Sequence, residues 1–424
     1  MALNDSPAES ARTTASHRAQ AMVGVAGIFA AAVGLVALLL AARHFSLADN
    51  ARFSLFWSVL FLCFGIVAGL AVETTRSTTS ANSHSSPPRK GSISVLTIGA
   101  VGVGVILVVL GASLPAWRLA IPAFTDRDGW LICVAILVGV VGYAGQSVVV
   151  GALSGQAAWN LYAVITFTEA AVRMALLIVV ASLGGGVIAF AFATVIAEYA
   201  WIVIVGFSPT ARASLKQRTD VPAAQFARRV GGAMVGLGAS SILLVGFPWL
   251  IGLTTPETVL LGAAPLMLAI SLTRAPLMVP ISSLYNVAVA YFTQRQDGWL
   301  RMLRVFLLSL AGVGLAGGGL AWAVGPWLLG LIRPDYELPG MTLAGLMIGA
   351  ACIAMITISG IICQSNAQYA RYLIGWLAAV VVSLGVLMTP FGLTTRAISA
   401  LVIGPLCGML IHVFFLVRWQ ASTR

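Results

Sequence analysis

The sequence predicts an all-α membrane protein, with about twelve transmembrane helices in two six-helix lobes, a 6+6 parallel pseudo-repeat around a central cavity. Three observations predict it. Of the 424 residues, 59% are hydrophobic and only 9% are charged, the composition of a polytopic membrane chain. Twelve apolar runs reach the roughly 20 residues that a helix needs to cross the hydrocarbon. The Lys and Arg residues outside those runs gather on alternate connections.

The runs lie at 20–42, 53–72, 95–115, 130–153, 159–182, 186–207, 231–253, 257–284, 301–324, 341–364, 370–390 and 395–417. Residues 1–19 are polar and read as a disordered cytoplasmic tail. No small-residue cleavage site follows the first run, which therefore reads as a retained helix. Gly184-Gly185-Gly186 makes a tight turn between the fifth and sixth runs. With the N-terminus in the cytoplasm, the cytoplasmic side receives 16 Lys and Arg and the outer side 6. Both termini are then cytoplasmic. The excess of 24 Lys+Arg over 13 Asp+Glu is thus a topological signal, with anionic membrane lipids as its partner and not nucleic acid.

The expected organisation is a cytoplasmic tail (1–19), an N-lobe (20–207), a basic cytoplasmic inter-lobe loop (208–230), a C-lobe (231–417) and a cytoplasmic C-terminal tail (418–424). The connection from Ser77 to Ser94 is Ser/Thr/Pro-rich and reads as a flexible linker. In the inter-lobe loop, Arg212, Lys216, Arg218, Phe226, Arg228 and Arg229 suggest a basic segment on the membrane surface. The two halves also match. Ser46-Leu47-Ala48-Asp49 opens the second helix and Thr254-Thr255-Pro256-Glu257 the eighth, both of the form [ST]-x-x-[DE], 208 residues apart. Six spans per half make the repeats parallel, an arrangement of transporters with a cavity between halves. Chance similarity of apolar sequence is the plainer alternative.

Charges inside the runs are the candidate functional residues, because a lone charge in hydrocarbon costs on the order of 2.5–3.5 kcal/mol or more. Arg274 lies in a run with three prolines, Pro265, Pro276 and Pro280, and has no acidic residue within four positions. That pattern suits a broken helix lining a path for an anionic substrate. At roughly 26 Å from Glu257, it equally suits a side chain that snorkels to the cytoplasmic interface. Glu169 and Arg173 share one helical face, and Glu198 lies at similar depth on the next run. A Glu169–Arg173–Glu198 cluster is either a packing ion network or a coupling-ion or headgroup site. Gln146, Ser147, Gln156, Asn160, Gln364, Asn366 and Gln368 read as interface polar residues or as sugar contacts at the cytoplasmic openings.

Other chemistry is absent or weak. No phosphate-binding G-x-x-x-x-G-K-[ST] loop occurs. The five cysteines fall in apolar runs without metal or disulfide spacing, and the four histidines are scattered, so no cofactor or metal is expected. Asp126-Arg127-Asp128 has the D-x-D form of metal-dependent glycosyltransferases, but its outer loop is short and no catalytic residue is assigned.

With these residues in place, the chain resembles the polysaccharide-exporter branch of the multidrug/oligosaccharidyl-lipid/polysaccharide (MOP) flippase superfamily. The stretches that carry the resemblance are ARHFSLADNARFSLFWSVLFLCFGIVAGLAVETTR (42–76), GALSGQAAWNLYAVITFTEAAVRMALLIV (151–179) and GPWLLGLIRPDYELPG (325–340). In the last, Arg333-Pro334-Asp335 replaces the family's glycine. The resemblance implies no enzyme but a flippase for a polyprenyl-diphosphate-linked sugar in the bacterial cytoplasmic membrane, working by alternating access. It implies a cationic cavity for the diphosphate, for which Arg274 and Arg173 match, with Arg76 at the cytoplasmic mouth. Glu169 and Glu198 are the coupling or ion-pair candidates, and cell-envelope glycosyltransferases or a polymerase are candidate partners. A cation-coupled multidrug or metabolite exporter of the same superfamily is the alternative.

Overall fold

The computed structural model describes residues 7–83, 91–120, 124, 126–294, 299–366 and 368–423. It is helical almost throughout. The helices are α1 (Pro7–His44), α2 (Leu47–Ser83), α3 (Val95–Ala120), α4 (Arg127–Gly155), α5 (Trp159–Ser182), α6 (Val187–Ile196), α7 (Ala200–Phe207) and α8 (Pro209–Ser214). They continue with α9 (Ala223–Leu244), α10 (Phe247–Thr254), α11 (Glu257–Leu260), α12 (Ala264–Gln294), α13 (Trp299–Ile332), α14 (Gly340–Ser365), α15 (Tyr369–Leu387) and α16 (Leu393–Thr423). Strands β1 (Ser92–Ser94) and β2 (Arg218–Pro222) form one antiparallel pair.

Among the described residues ten helices are long and apolar enough to cross a membrane, and the pair α9–α10, bent by 71°, makes an eleventh. The eighth expected run, 257–284, is not one span from its start: α11 closes after one turn and α12 begins at Ala264. From there α12 runs without a break through Pro265, Pro276 and Pro280, so the expected break at the later prolines is absent. Pro265 sits in the first turn, where its missing N–H costs nothing. Residues 7–19, expected as a disordered tail, belong to α1, and residues 77–83 of the expected linker extend α2. Its last residues, Ser92–Ser94, form β1, while residues 84–90 with His84, Arg89 and Lys90 lie outside the described residues, as do Arg295 and Arg424.

The chain divides into two compact units. Unit 1 comprises Met1–Ala37, Phe64–Pro115 and Leu131–Met234; unit 2 comprises Leu38–Cys63, Ala116–Trp130 and Val235–Arg424.

In unit 1 the inter-lobe loop is a folded element. Ser208 caps α8 by accepting from the Ala211 N–H (3.2 Å). β2 then pairs with β1, and the ladder continues as Val95 N–H donates to the Gln217 carbonyl (2.8 Å) and Ala223 N–H to the Gly91 carbonyl (3.1 Å). Phe226, the aromatic residue of that basic segment, is buried with Leu70, Val95, Ile98, Val148 and Val221. Above this core sits a four-charge cluster. Arg76 donates to both oxygens of Glu73 (2.8 and 2.6 Å) and to both of Asp220 (3.1 and 3.0 Å). Ser77 donates to Asp220 (2.6 Å), and Arg229 stands 3.8 Å from each carboxylate. Burial pushes the Asp220 carboxyl up, but the hydrogen bonds from Arg76 and Ser77 outweigh it and hold the group below its ordinary value.

In unit 2, α12, α13, α15 and α16 pack around or beside α14, whose residues from Leu346 to Cys363 are mostly buried. Four of the five cysteines are buried and all five are free, as expected of small core residues.

Asp220→Asn removes one carboxylate that shares Arg76. A depressed carboxyl contributes stability that is fully present above the ordinary carboxylate range and is lost as pH falls through the depressed value. The variant is therefore expected to be less stable than wild type by on the order of 1–2 kcal/mol at pH 7. Thermal unfolding in detergent across pH should show that gap closing below about pH 4.

Candidate functional site

Two buried polar sites, one in each unit, hold the expected charged residues other than Arg76. The first is in unit 1. The Glu169–Arg173–Glu198 cluster expected from the sequence is present: the Arg173 guanidinium is ion-paired with Glu169 on its own helix and hydrogen-bonded to Glu198. All three are buried, at 6%, 4% and 1% exposure. Two carboxylates and one guanidinium leave a formal excess of one negative charge away from water, a state that calls for a proton or a bound cation.

Local backbone chemistry delivers Glu198. The sixth span is not one helix: Ala197–Tyr199 is a 3₁₀ turn between α6 and α7. Such a turn within a long helix re-aims its side chains and often marks a functional hinge. α4 makes room for it with Gly142, where a Cβ would meet the Tyr199 ring at 2.8 Å and the Glu198 Cβ at 3.0 Å. Tyr199 donates to the Val138 carbonyl (2.8 Å) and the Trp201 indole N–H to the Gly142 carbonyl (3.1 Å), fixing the turn against α4. Tyr143 completes the site. It stacks on Phe64 at 4.3 Å and lies within electrostatic reach of Glu198 and Glu169. Gln146 and Ser147, one turn along α4, are also buried.

The second site is in unit 2 around Arg274, which is 6% exposed. The sequence explains its position. The chain turns sharply after α9 at Val245-Gly246, and Pro248 has no N–H to give to the Leu244 carbonyl four residues before it. Arg274 supplies the missing donor: its Nη1 reaches the carbonyls of Leu243 (2.9 Å) and Leu244 (3.1 Å). A cation there also meets the negative end of the helix dipole. The guanidinium lies over the Phe247 ring at 5.4 Å. Ser58 stitches the same break, donating to the Val245 carbonyl (2.9 Å) and accepting from the Trp249 N–H (3.2 Å). Arg274 Nη2 is buried with no hydrogen-bond partner among the described residues. Capping a broken helix is a role that neither sequence reading of Arg274 contained.

Arg76 is not part of either buried site. Its edges are engaged by Glu73 and Asp220, an arrangement set by β2 and invisible in the sequence around it.

Three other expectations resolve at unit 2. Ser46 and Asp49 form the expected capping box at the start of α2: Asp49 N–H donates to Ser46 Oγ (3.1 Å), and Ser46 Oγ–H to the carboxylate (2.8 Å). The second copy does not. Thr254 ends α10 and bonds back to the Leu250 carbonyl (2.9 Å), while Pro256 precedes α11. Asp126 of the D-x-D triplet caps α4 through Gly129 N–H (2.7 Å) and pairs with Arg52 (3.3 Å), which gives the motif a structural role. Among the described residues no group of three or more His, Cys, Asp or Glu could hold a metal ion. Sequence reasoning passed over His412, which is fully buried. Its Nδ1 lies 3.0 Å from Ser359 Oγ, and its Nε2 lies 3.0 Å from the Tyr372 carbonyl, to which an Nε2–H donates. Only the small Gly375 lets the ring sit against α15, a contact distant in sequence and therefore unsignalled.

The fold defined by these helices is that of MOP-superfamily transporters. It matches a multidrug resistance MATE family transporter in an inward-facing conformation with a TM-score of 0.68 over 93% of this chain and 95% of that one, at 16% identity. It matches the lipid II flippase MurJ in an inward closed conformation with a TM-score of 0.71 over 93% and 87%, at 12% identity. No family model matches the sequence. The chain belongs to the same protein family as two Mycobacterium tuberculosis (strain H37Rv) proteins, the uncharacterized proteins Rv1510 and Rv3630. It is 34% identical to the first over 94% of this chain and 91% of the relative, and 32% identical to the second over 94% and 92%.

Two substitutions check the sites. Gly142→Leu should displace Glu198 and Tyr199, and detergent-solubilised protein should lose on the order of 2 kcal/mol or more of stability. Arg274→Ala leaves the Leu244 carbonyl unpaired and is expected to cost about 1–3 kcal/mol. Thermal unfolding reads both losses, and a neutral Arg274→Ala would rule out the capping role.

Proposed function

We propose that this chain is a flippase that moves a polyprenyl-diphosphate-linked saccharide, a precursor of cell-envelope polysaccharide, across the bacterial cytoplasmic membrane by alternating access. Both termini are cytoplasmic in this reading. The observation that carries it is Arg274, a buried guanidinium that among the described residues has no carboxylate partner and no acceptor at Nη2. A diphosphate oxygen is the kind of acceptor such a donor binds best, through a short charge-assisted bond. The fold shared with a flippase of a lipid-linked substrate supports the reading. Lipid tails would stay in the bilayer while the headgroup passes, so only the headgroup needs a polar path.

Arg173 and Arg76 take second place in this scheme, because carboxylates hold both. Protonating Glu169 or Glu198 would loosen Arg173 and let it meet an anionic headgroup. That gives the two acids a coupling role in which a proton or cation and the substrate share one guanidinium. Anionic lipids and the enzymes that build or polymerise the saccharide are the proposed partners.

The same acids favour a second reading, a cation-coupled exporter, since they exceed Arg173 by one charge. The MATE transporter fold is shared as closely as the flippase fold.

Proteoliposomes carrying a fluorescent polyprenyl-diphosphate sugar, quenched from outside, decide between them. Wild type is expected to exchange the lipid between leaflets, and Arg274→Lys, which keeps the charge, is expected to retain more exchange than Arg274→Ala. Glu198→Gln should change the response of exchange to an imposed pH or Na⁺ gradient while leaving the protein folded. Exchange that is equal in wild type, Arg274→Ala and Arg173→Ala would remove the headgroup role. Efflux of organic cations without lipid exchange would establish the exporter instead.

A further inference from the structure

A second lipid-related feature lies in unit 2, on the outer face of α15 and α16. There the two helices leave an open groove of about 650 Å³ whose walls include Ile374, Ile403, Cys407, Leu410, Phe414 and Phe415. Its lining is apolar throughout, and Ile374, Ile403, Leu410 and Phe414 are 46–61% exposed. At one end the groove stops at two cations. Arg371, in the first turn of α15, lies over the Phe415 ring at 5.8 Å, and Arg418, near the end of α16, lies over Phe414 at 4.7 Å. The two rings touch edge to face, with centroids 5.6 Å apart, so the guanidiniums are held on adjoining supports.

We infer that this groove is a specific site for one anionic phospholipid, with an acyl chain along the apolar walls and the phosphate on Arg371 and Arg418. Five observations converge on that occupant. Walls without polar groups exclude a sugar or a peptide, whose donors and acceptors would go unpaired. A guanidinium whose charge lies over an aromatic ring spends none of its N–H donors on that contact and can still give them to a phosphate. Arg371 Nη1 has no hydrogen-bond partner among the described residues and lacks an acceptor of that kind. From Ile403 to Phe415 the groove runs roughly 18 Å along α16. That is close to the ~15 Å depth of one leaflet's hydrocarbon, so it fits a chain already lying in that leaflet. Tyr369, 66% exposed beside Arg371, is the amphipathic aromatic expected where such a headgroup would sit.

The site depends only on α15 and α16 crossing a membrane and not on what the protein transports. It would tie the last two helices to the leaflet that carries the cations and make their packing sensitive to its lipid composition.

The test is competitive retention of phosphatidylglycerol and phosphatidylcholine of identical chains by the purified full-length protein, read by native mass spectrometry after detergent washing. Wild type is expected to keep one phosphatidylglycerol with at least tenfold preference. Arg371→Gln with Arg418→Gln should erase the preference. Leu410→Trp, which narrows the groove at an exposed position and leaves both cations, should lower retention by a similar factor. Gel filtration and thermal unfolding confirm that each variant is folded. An unchanged preference in the double variant overturns the site. Loss in the double variant but full retention in Leu410→Trp overturns the groove, leaving surface charge attraction alone. Retention of a polyprenyl phosphate in place of phosphatidylglycerol overturns the choice of occupant.

Discussion

Every helix ends in carbonyls that its own backbone cannot satisfy, and hydrocarbon offers no water to replace the missing donors. In unit 2 arginine meets this demand repeatedly. Arg274 caps α9 at the break before Pro248. Arg396 donates to the last carbonyls of both α10, at Thr254 (3.0 Å), and α15, at Leu387 (2.8 Å). Arg43, at the end of α1, donates to Leu331 (3.1 Å) and Ile332 (3.2 Å) at the end of α13, and Arg333 returns the contact to Ala42 (3.3 Å) and Phe45. A long, multiply donating cation reaches two carbonyls at once and complements the helix dipole, which lysine does less well. The same arginines read from sequence as topology signals or substrate contacts are therefore, in part, the means by which broken and closely ended helices survive among apolar neighbours.

Unit 1 uses charge differently. There the arginines face carboxylates: Arg173 with Glu169 and Glu198, and Arg76 with Glu73 and Asp220. The first cluster is the more consequential. It is buried, carries an excess of acid, and contains Glu198, which is delivered by a 3₁₀ turn inside a span. Changing its protonation would change how tightly Arg173 is held, which is the local switch the proposed function assigns to an ion gradient. The second cluster pins the strand pair and the start of α9 to the end of α2. What sequence reads as a basic connection between lobes is thereby a fastened part of unit 1.

The all-helical membrane architecture and the place of most of its apolar helices, the Ser46–Asp49 cap and the Glu169–Arg173–Glu198 cluster were legible in the sequence, whereas the count of twelve spans exceeds the ten or eleven among the described residues. Each rests on local physics: apolar run length, a cap at i to i+3, acids and a base at helical spacing on neighbouring spans. What the sequence could not supply is the set of partners separated by long stretches of chain. Pro248 announces a missing donor, but nothing near it says that Arg274 fills the gap. Asp220 looks like one acid in a basic loop until β2 pairs with β1 and carries it to Arg76. His412 looks isolated until α14, α15 and α16 meet around it. Local periodicity determined which segments are helices. Only tertiary structure decided which charge meets which group, because low dielectric forces every buried ion and carbonyl to find a partner and the chain fold alone determines which partner is within reach.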